Sequence, residues 1–97
     1  MTQRTALVTG GTGGIGTAII RYLAKQGHRV ATNYRDEAKT AAWRAAMAKE
    51  GIEVCTVRGD VSDPEACMAM VRAIEEKCGA VDILVNNAGI TRDTTFH

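Results

Sequence analysis

The sequence lacks any excess of charge of one sign: its 97 residues carry 12 lysines and arginines against 11 acids, a net charge of +1. A balance this even offers no basic field for nucleic acid and none for an anionic membrane surface. No apolar run approaches the ~20 residues that a bilayer span needs, and no basic-then-apolar leader opens the chain. These absences predict a cytosolic protein with neither a nucleic-acid nor a membrane partner. Cys55, Cys67 and Cys78 are odd in number, widely spaced and without a C-x-x-C pair. That pattern argues against a disulfide framework or a structural zinc site, so each is expected to pack as a small apolar side chain. His28 and His97 have no nucleophile or carboxylate at a catalytic or metal-binding spacing, and no metal site is expected. Repeats, low-complexity segments and linkers are missing too, which leaves residues 1–97 as one unit.

What is present alternates regularly. Thr5-Thr9 (TALVT) is a β-prone run ending in glycines, and Ile15-Gln26 carries Ile15, Ala18, Ile19, Tyr22 and Leu23 at helical spacing, with Gly27 as its stop. Arg29-Tyr34 reads as a second strand. The alanine-rich stretch Asp36-Glu50 reads as a second helix that packs through Trp43 and Met47 and stops at Gly51. Glu53-Arg58 is a third strand. Ser62 and Glu65 form a capping box with Pro64 in the first turn, opening a helix whose apolar stripe is Cys67, Met70, Val71, Ile74 and Cys78, ended by Gly79. Val81-Asn86 is a fourth strand, and its core Ile83-Leu84-Val85 suits a parallel strand covered on both faces. The order βαβαβαβ predicts a parallel sheet with right-handed crossovers.

Gly10, Gly11, Gly13, Gly14 and Gly16 fall between the first strand and the first helix. Unpaired backbone N–H groups and the positive end of a helix dipole favour an anion there. Glycine permits a tight turn, lets a pyrophosphate approach the backbone and lets the helix pack closely on the strand. A glycine string alone is weak evidence, but within a strand-loop-helix it becomes a dinucleotide signature. A nucleoside-triphosphate loop would need Lys before Ser or Thr, whereas Gly16 runs directly into Thr17.

Two glycine registers are open. Gly11-x-Gly13-x-x-Gly16 expects an acid about 20 residues on for a ribose 2′-hydroxyl, and Asp36 or Glu37 could serve. Thr9-Gly10-x-x-x-Gly14-x-Gly16 puts Tyr34 and Arg35 at the tip of the second strand and leaves both acids to start the next helix. A guanidinium at Arg35 suits a 2′-phosphate, and hence NADP(H), through charge-assisted hydrogen bonds. An exposed arginine at a helix start with no ligand is the alternative.

Three stretches carry a resemblance over the whole chain: Thr9 through Gly16 (TGGTGGIG, the pattern TGxxxGxG), Gly59-Asp60-Val61 and Asn86-Asn87-Ala88-Gly89. In them the sequence resembles the short-chain dehydrogenases/reductases. Its beginning MTQRTALVTGG and its closing NNAGITRD are most similar to the acetoacetyl-CoA reductases and the 3-oxoacyl-acyl-carrier-protein reductases. The resemblance implies the N-terminal half of a doubly wound Rossmann fold, sheet order 3-2-1-4, and NADPH-dependent reduction of a 3-oxoacyl thioester carried on CoA or acyl carrier protein. It further implies a cofactor cradle from Gly10, Thr12, Gly13, Gly14, Ile15 and Gly16. Asp60 would accept from the adenine amino group, beside the Val61 backbone. Asn86, Ala88 and Gly89 would lie under the nicotinamide-side ribose, and Asp93 could face the substrate mouth. Asp60 could instead cap a turn, and Asp93 could be a solvated loop residue.

The family's proton donor is a tyrosine with a lysine four residues later, assisted by a serine and an asparagine, all downstream of NNAG. Here Tyr22 and Tyr34 are followed at that spacing by Gln26 and Ala38, so no general acid can be named. In the strand order 3-2-1-4-5-6 the fourth strand is interior, and a chain of this extent leaves it as an apolar edge. The expectation is therefore the cofactor-binding half of a longer, homo-oligomeric reductase, inactive alone. The alternative is a non-catalytic module that binds a dinucleotide or another chain.

Overall fold

Four strands and three helices alternate along the chain in a computed structural model that describes residues 4–10, 12–59 and 63–87. They are β1 (Thr5–Val8), α1 (Gly14–Lys25), β2 (Arg29–Tyr34), α2 (Glu37–Lys49), β3 (Val54–Arg58), α3 (Pro64–Cys78) and β4 (Ile83–Val85). All pairings are parallel and the strand order is β3-β2-β1-β4. This is the half-Rossmann arrangement expected from the alternation of elements.

The period-two geometry of β1 divides the core in two. Val8 points to the face covered by α1 and α2, where it meets Ile20, Val30 and Met47, with Trp43 and Val85 packed beside them. Leu7 points to the opposite face and packs with Ala31 and with Met70, Ile74 and Cys78 of α3. Full burial of side chains such as Leu7, Ile20 and Ile74 stabilises the fold by roughly 1.5–3 kcal/mol each. Trp43 also ties the two helices of its face together, its indole N–H donating to the Thr17 hydroxyl at 2.9 Å. Gly27, Gly51 and Gly79, read as helix stops, all take positive φ. The chain folds locally as its sequence directs in α3, whose buried stripe is the one read from spacing.

Four expectations are corrected. The buried side of α1 is Gly16 and Ile20 with Ile19 and Leu23 beside them, whereas Ile15 and Tyr22 are 55% and 63% exposed. Close packing of the helix start on β1 sets the phase, and the inward residue there is a glycine, which carries no apolar signal. The cap of α3 is Asp63, whose carboxylate accepts from the Ala66 N–H at 3.3 Å, rather than Ser62. An Asp directly before Pro64 needs no other partner to hold the first turn.

Cys55 and Cys78 form a disulfide, contrary to the reading from count and spacing, while Cys67 stays unpaired. The packing of α3 across β3 brings their Cα atoms within 6.4 Å, a distance suited to bridging, although 23 residues separate them in sequence. Finally, β4 is covered on one face only: Val85 packs toward α1, but Leu84 is 64% exposed. Helix α3 lies chiefly over β3 and β2. Among the described residues no helix is long and apolar enough to cross a membrane.

Candidate dinucleotide site

Because the strands are parallel, their carboxyl ends share one edge of the sheet, and the sequence motifs collect there. Gly10 leaves β1 with φ of 63°, a left-handed conformation that a side chain would strain. Its carbonyl accepts from Gly13 N at 3.4 Å and from Asn87 Nδ2 at 3.0 Å, and its N–H donates to Asn33 Oδ1 at 2.9 Å. Asn33 Nδ2 in turn donates to the carbonyl of Gly59 at 3.0 Å. Thr9 reaches the other way, its hydroxyl within 3.3 Å of both the Val85 carbonyl and Asn86 Oδ1. The ends of all four strands are thereby joined by side-chain hydrogen bonds across the glycine turn.

Helix α1 opens directly above this brace. Gly13 is its N-cap, no side chain caps it, and its first turn holds no acid. The helical ladder begins with Thr17, whose N–H and hydroxyl both donate to the Gly13 carbonyl, at 2.8 and 2.6 Å. The amides of the first turn, from Gly14 to Gly16, therefore precede the ladder and look for an acceptor outside the helix. By contrast α2 and α3 are capped by Asp36 and Asp63, with Glu37 and Glu65 in their first turns. Space is available at the open end, since a Cβ on Gly14 would meet nothing within 4 Å and one on Gly13 only the Gly10 carbonyl at 3.8 Å. Thr12 is half-buried beside the turn, and Gly16 is buried against the sheet.

At the tip of β2 the acids have local employment. Asp36 Oδ1 accepts from Lys39 N at 3.1 Å as the cap of α2. Glu37 accepts from the Tyr34 hydroxyl and lies 3.4 Å from Arg44 Nη2. That hydrogen bond holds the Glu37 carboxyl below the usual carboxylate range, with Arg44 adding to it, and holds the Tyr34 hydroxyl above the usual phenol range. Arg35 stands exposed between them.

Gly59, after β3, is where α3 comes closest: a Cβ there would lie 2.7 Å from Met70 Cγ. Its N–H donates to the Tyr34 carbonyl at 3.0 Å, so the carboxyl end of β3 is tied to β2. Asp60, Val61, Ala88, Gly89 and Asp93 lie outside the described residues. Of the histidines, His28 sits away from the site and accepts from Arg4 N through Nδ1 at 3.3 Å.

The sequence reading passed over Asn33, and it took Asn87 only as a member of the Asn86-Asn87-Ala88-Gly89 motif. Asn33 could have been noticed as an amide inside the otherwise apolar strand VATN, since buried polar groups are hydrogen-bonded. Asn87 is fully buried, and its Oδ1 has no hydrogen-bond partner among the described residues. An uncapped helix start, open space before it and a buried acceptor beside the turn together fit a bound anion flanked by a donor group. That is the chemistry of a pyrophosphate and its ribose. Among the described residues no group of three metal-ligating side chains occurs.

Comparison with known proteins agrees with this geometry. A family model described as short chain dehydrogenase matches residues 4–97. Nodulation protein G of Azospirillum brasilense is 53% identical over 97 residues, covering 99% of this chain and 39% of that protein. Acetoacetyl-CoA reductase of Allochromatium vinosum is 50% identical over 95 residues, 96% of this chain and 39% of the relative. Among solved structures, a variant of actinorhodin polyketide ketoreductase with NADPH superposes with a TM-score of 0.79 at 39% identity. That match covers 88% of this chain and 33% of the ketoreductase. The chain thus spans 39% of the length of both curated relatives.

Proposed function

The chain belongs to the short-chain dehydrogenase family, and from that premise we propose that it is the cofactor-binding half of an NADPH-dependent reductase acting on a 3-oxoacyl thioester of the acetoacetyl-CoA kind. The observation that carries the reading is the uncapped start of α1, opening onto the braced Gly10 turn at the carboxyl edge of the sheet. The amides of Gly14, Ile15 and Gly16 would receive the pyrophosphate, with Thr12 and Gly13 shaping the approach. Arg35 would bind the 2′-phosphate. Asp36 is occupied as a helix cap and Glu37 is paired with Tyr34 and Arg44, so neither is a ready acceptor for a 2′-hydroxyl. Asp60 and Val61 would hold the adenine. Asn86, Ala88 and Gly89 would support the nicotinamide-side ribose, and Asp93 would face the substrate.

The chemistry supplied by the bound dinucleotide is hydride donation to the carbonyl carbon of the 3-oxo group. The part played by this chain is to bind and orient: to neutralise the phosphates, to fix the adenine end and to keep the nicotinamide end against Asn86. Neither Tyr22 nor Tyr34 has a lysine four residues later, and the proposal assigns proton donation to other parts of the parent polypeptide.

The test is a titration of the full-length polypeptide with NADPH and NADH, on wild type and on Arg35→Ala. A charge-assisted contact contributes about 1.5–3 kcal/mol, so the variant should lose roughly 10- to 150-fold in NADPH affinity and little in NADH affinity. Equal losses for both would remove Arg35 from the role. A wild type that binds neither dinucleotide would overturn the function.

A further inference from the structure

Asn33 is a buried amide on the central strand β2, and both of its polar atoms are committed to the site's backbone. Oδ1 takes the Gly10 N–H at 2.9 Å and Nδ2 gives to the Gly59 carbonyl at 3.0 Å. Only one orientation of the amide serves both partners, because one is a donor and the other an acceptor. Gly10 begins the turn that leads to the phosphate amides of α1. Gly59 directly follows β3 and directly precedes Asp60 in the sequence. Gly10 and Gly59 follow strands β1 and β3, which are not neighbours, since β2 runs between them. Their backbones are therefore joined at this edge by the side chain of Asn33, which rises from β2 between them.

We propose that Asn33 is a positioning residue that sets the distance between the Gly10 turn and the carboxyl end of β3 at Gly59, so that both ends of one dinucleotide are met at once. The inference rests on the cofactor reading above. Its ground is geometric: Gly10 is held from two sides, by Asn33 on its N–H and by Asn87 on its carbonyl. The Asn33 contact alone extends to the third strand. A left-handed glycine turn with neither hold is free to rotate its peptides, and the helix start above would move with it.

The chemistry of the amide supplies a discriminating variant. In Asn33→Asp an ionised carboxylate still accepts from Gly10 but faces the Gly59 carbonyl with a second acceptor, so that the half of the brace toward β3 becomes repulsive. Protonation restores it, since a neutral carboxyl accepts through one oxygen and donates through the other. Burial favours that neutral form. The titratable groups one position on in the paired strand ends are Tyr34 and Arg58, and both are shared with the wild type, which serves as the reference at every pH.

The experiment uses the full-length polypeptide and acid-stable NADP+, measured by calorimetry, with cofactor-free melting recorded beside it. At about pH 8, Asn33→Asp should bind roughly 10- to 100-fold more weakly than wild type. At about pH 5.5 the ratio should shrink toward one, while the melting midpoint of the free protein moves far less than the affinity does. Asn33→Ala should be weak at both pH values with no recovery. Affinity for Asn33→Asp within about twofold of wild type at pH 8 overturns the inference, as does a loss that persists unchanged on acidification, whether by unfolding or otherwise. Failure of the wild type to bind any dinucleotide overturns the cofactor reading instead, so the two failures are told apart.

Discussion

Replacing Gly59 by alanine should strike the fold at the point where α3 comes closest to the site. A Cβ built there lies 2.7 Å from Met70 Cγ and 2.9 Å from Met70 Cβ. Carbon atoms prefer about 3.5–4.0 Å, so the overlap is roughly 1 Å on two atoms at once. Met70 is an adaptable residue at its far end, but these are its first two side-chain carbons, Cβ fixed by the helix backbone and Cγ only one torsion beyond it. It is also buried against Leu7, Ala31 and Ile74. Relief must therefore come from a shift of α3 or of the turn, and overpacking of this kind costs about 1–3 kcal/mol. For a domain of this size each kcal/mol lowers the melting midpoint by roughly 4–8 °C.

Thermal melting of the full-length polypeptide, followed by circular dichroism, measures the loss. A cycle with Met70→Ala assigns it. That truncation alone should cost about 2–5 kcal/mol, but it removes the atom at 2.7 Å, so the double variant should be more stable than the sum of the two by about 0.5–3 kcal/mol. Because the Cβ at 2.9 Å remains, the relief is partial. Gly59→Ala melting with the wild type, or a cycle additive within about 0.5 kcal/mol, would refute the contact. A glycine needed only for a flexible turn would give that second result.

Two further predictions concern the rest of the fold. The disulfide between Cys55 and Cys78 closes a loop of about 24 residues, for which the chain-entropy estimate is about 3.4 kcal/mol. Thiol titration under native, non-reducing conditions should therefore find neither Cys55 nor Cys78 reactive, and Cys55→Ser should lower the melting midpoint to that of the reduced wild type. Reactive thiols at both positions would refute the bridge. The depressed carboxyls of Glu37 and Glu50, held by Tyr34 and Arg21 respectively, contribute stability above their unfolded titration near pH 4.3 and lose it as the pH falls through their folded values. Glu37→Gln and Glu50→Gln should each flatten the acid limb of the melting profile, modestly and less at high salt because both sites are exposed. An unchanged acid limb in both would remove these pairs from the account.

The local features of the molecule were legible one residue at a time. Helix starts and stops, the stripe of α3, the alternation of strands and helices and the glycines after β1 all depend on neighbours within a few positions. Backbone sterics and side-chain periodicity act over that range. The phase of α1 was misread because its inward contact is made by Gly16, which has no side chain to count. The cap of α3 was misplaced by one residue for a related reason, since Ser62 and Asp63 are both good caps and sequence alone does not rank them.

The amino-acid sequence by itself determined that a glycine-rich turn would sit between a strand and a helix of a parallel sheet. It did so because glycine, strand and helix signals are all short-range. Only the tertiary structure decided what holds that turn in place. Asn33 meets Gly10 across 23 residues and Gly59 across 26, and Asn87 meets Gly10 across 77. Parallel strands require long crossovers, so residues that touch at the carboxyl edge are remote in the chain. No periodicity records such a contact, and the brace exists only once the sheet is assembled.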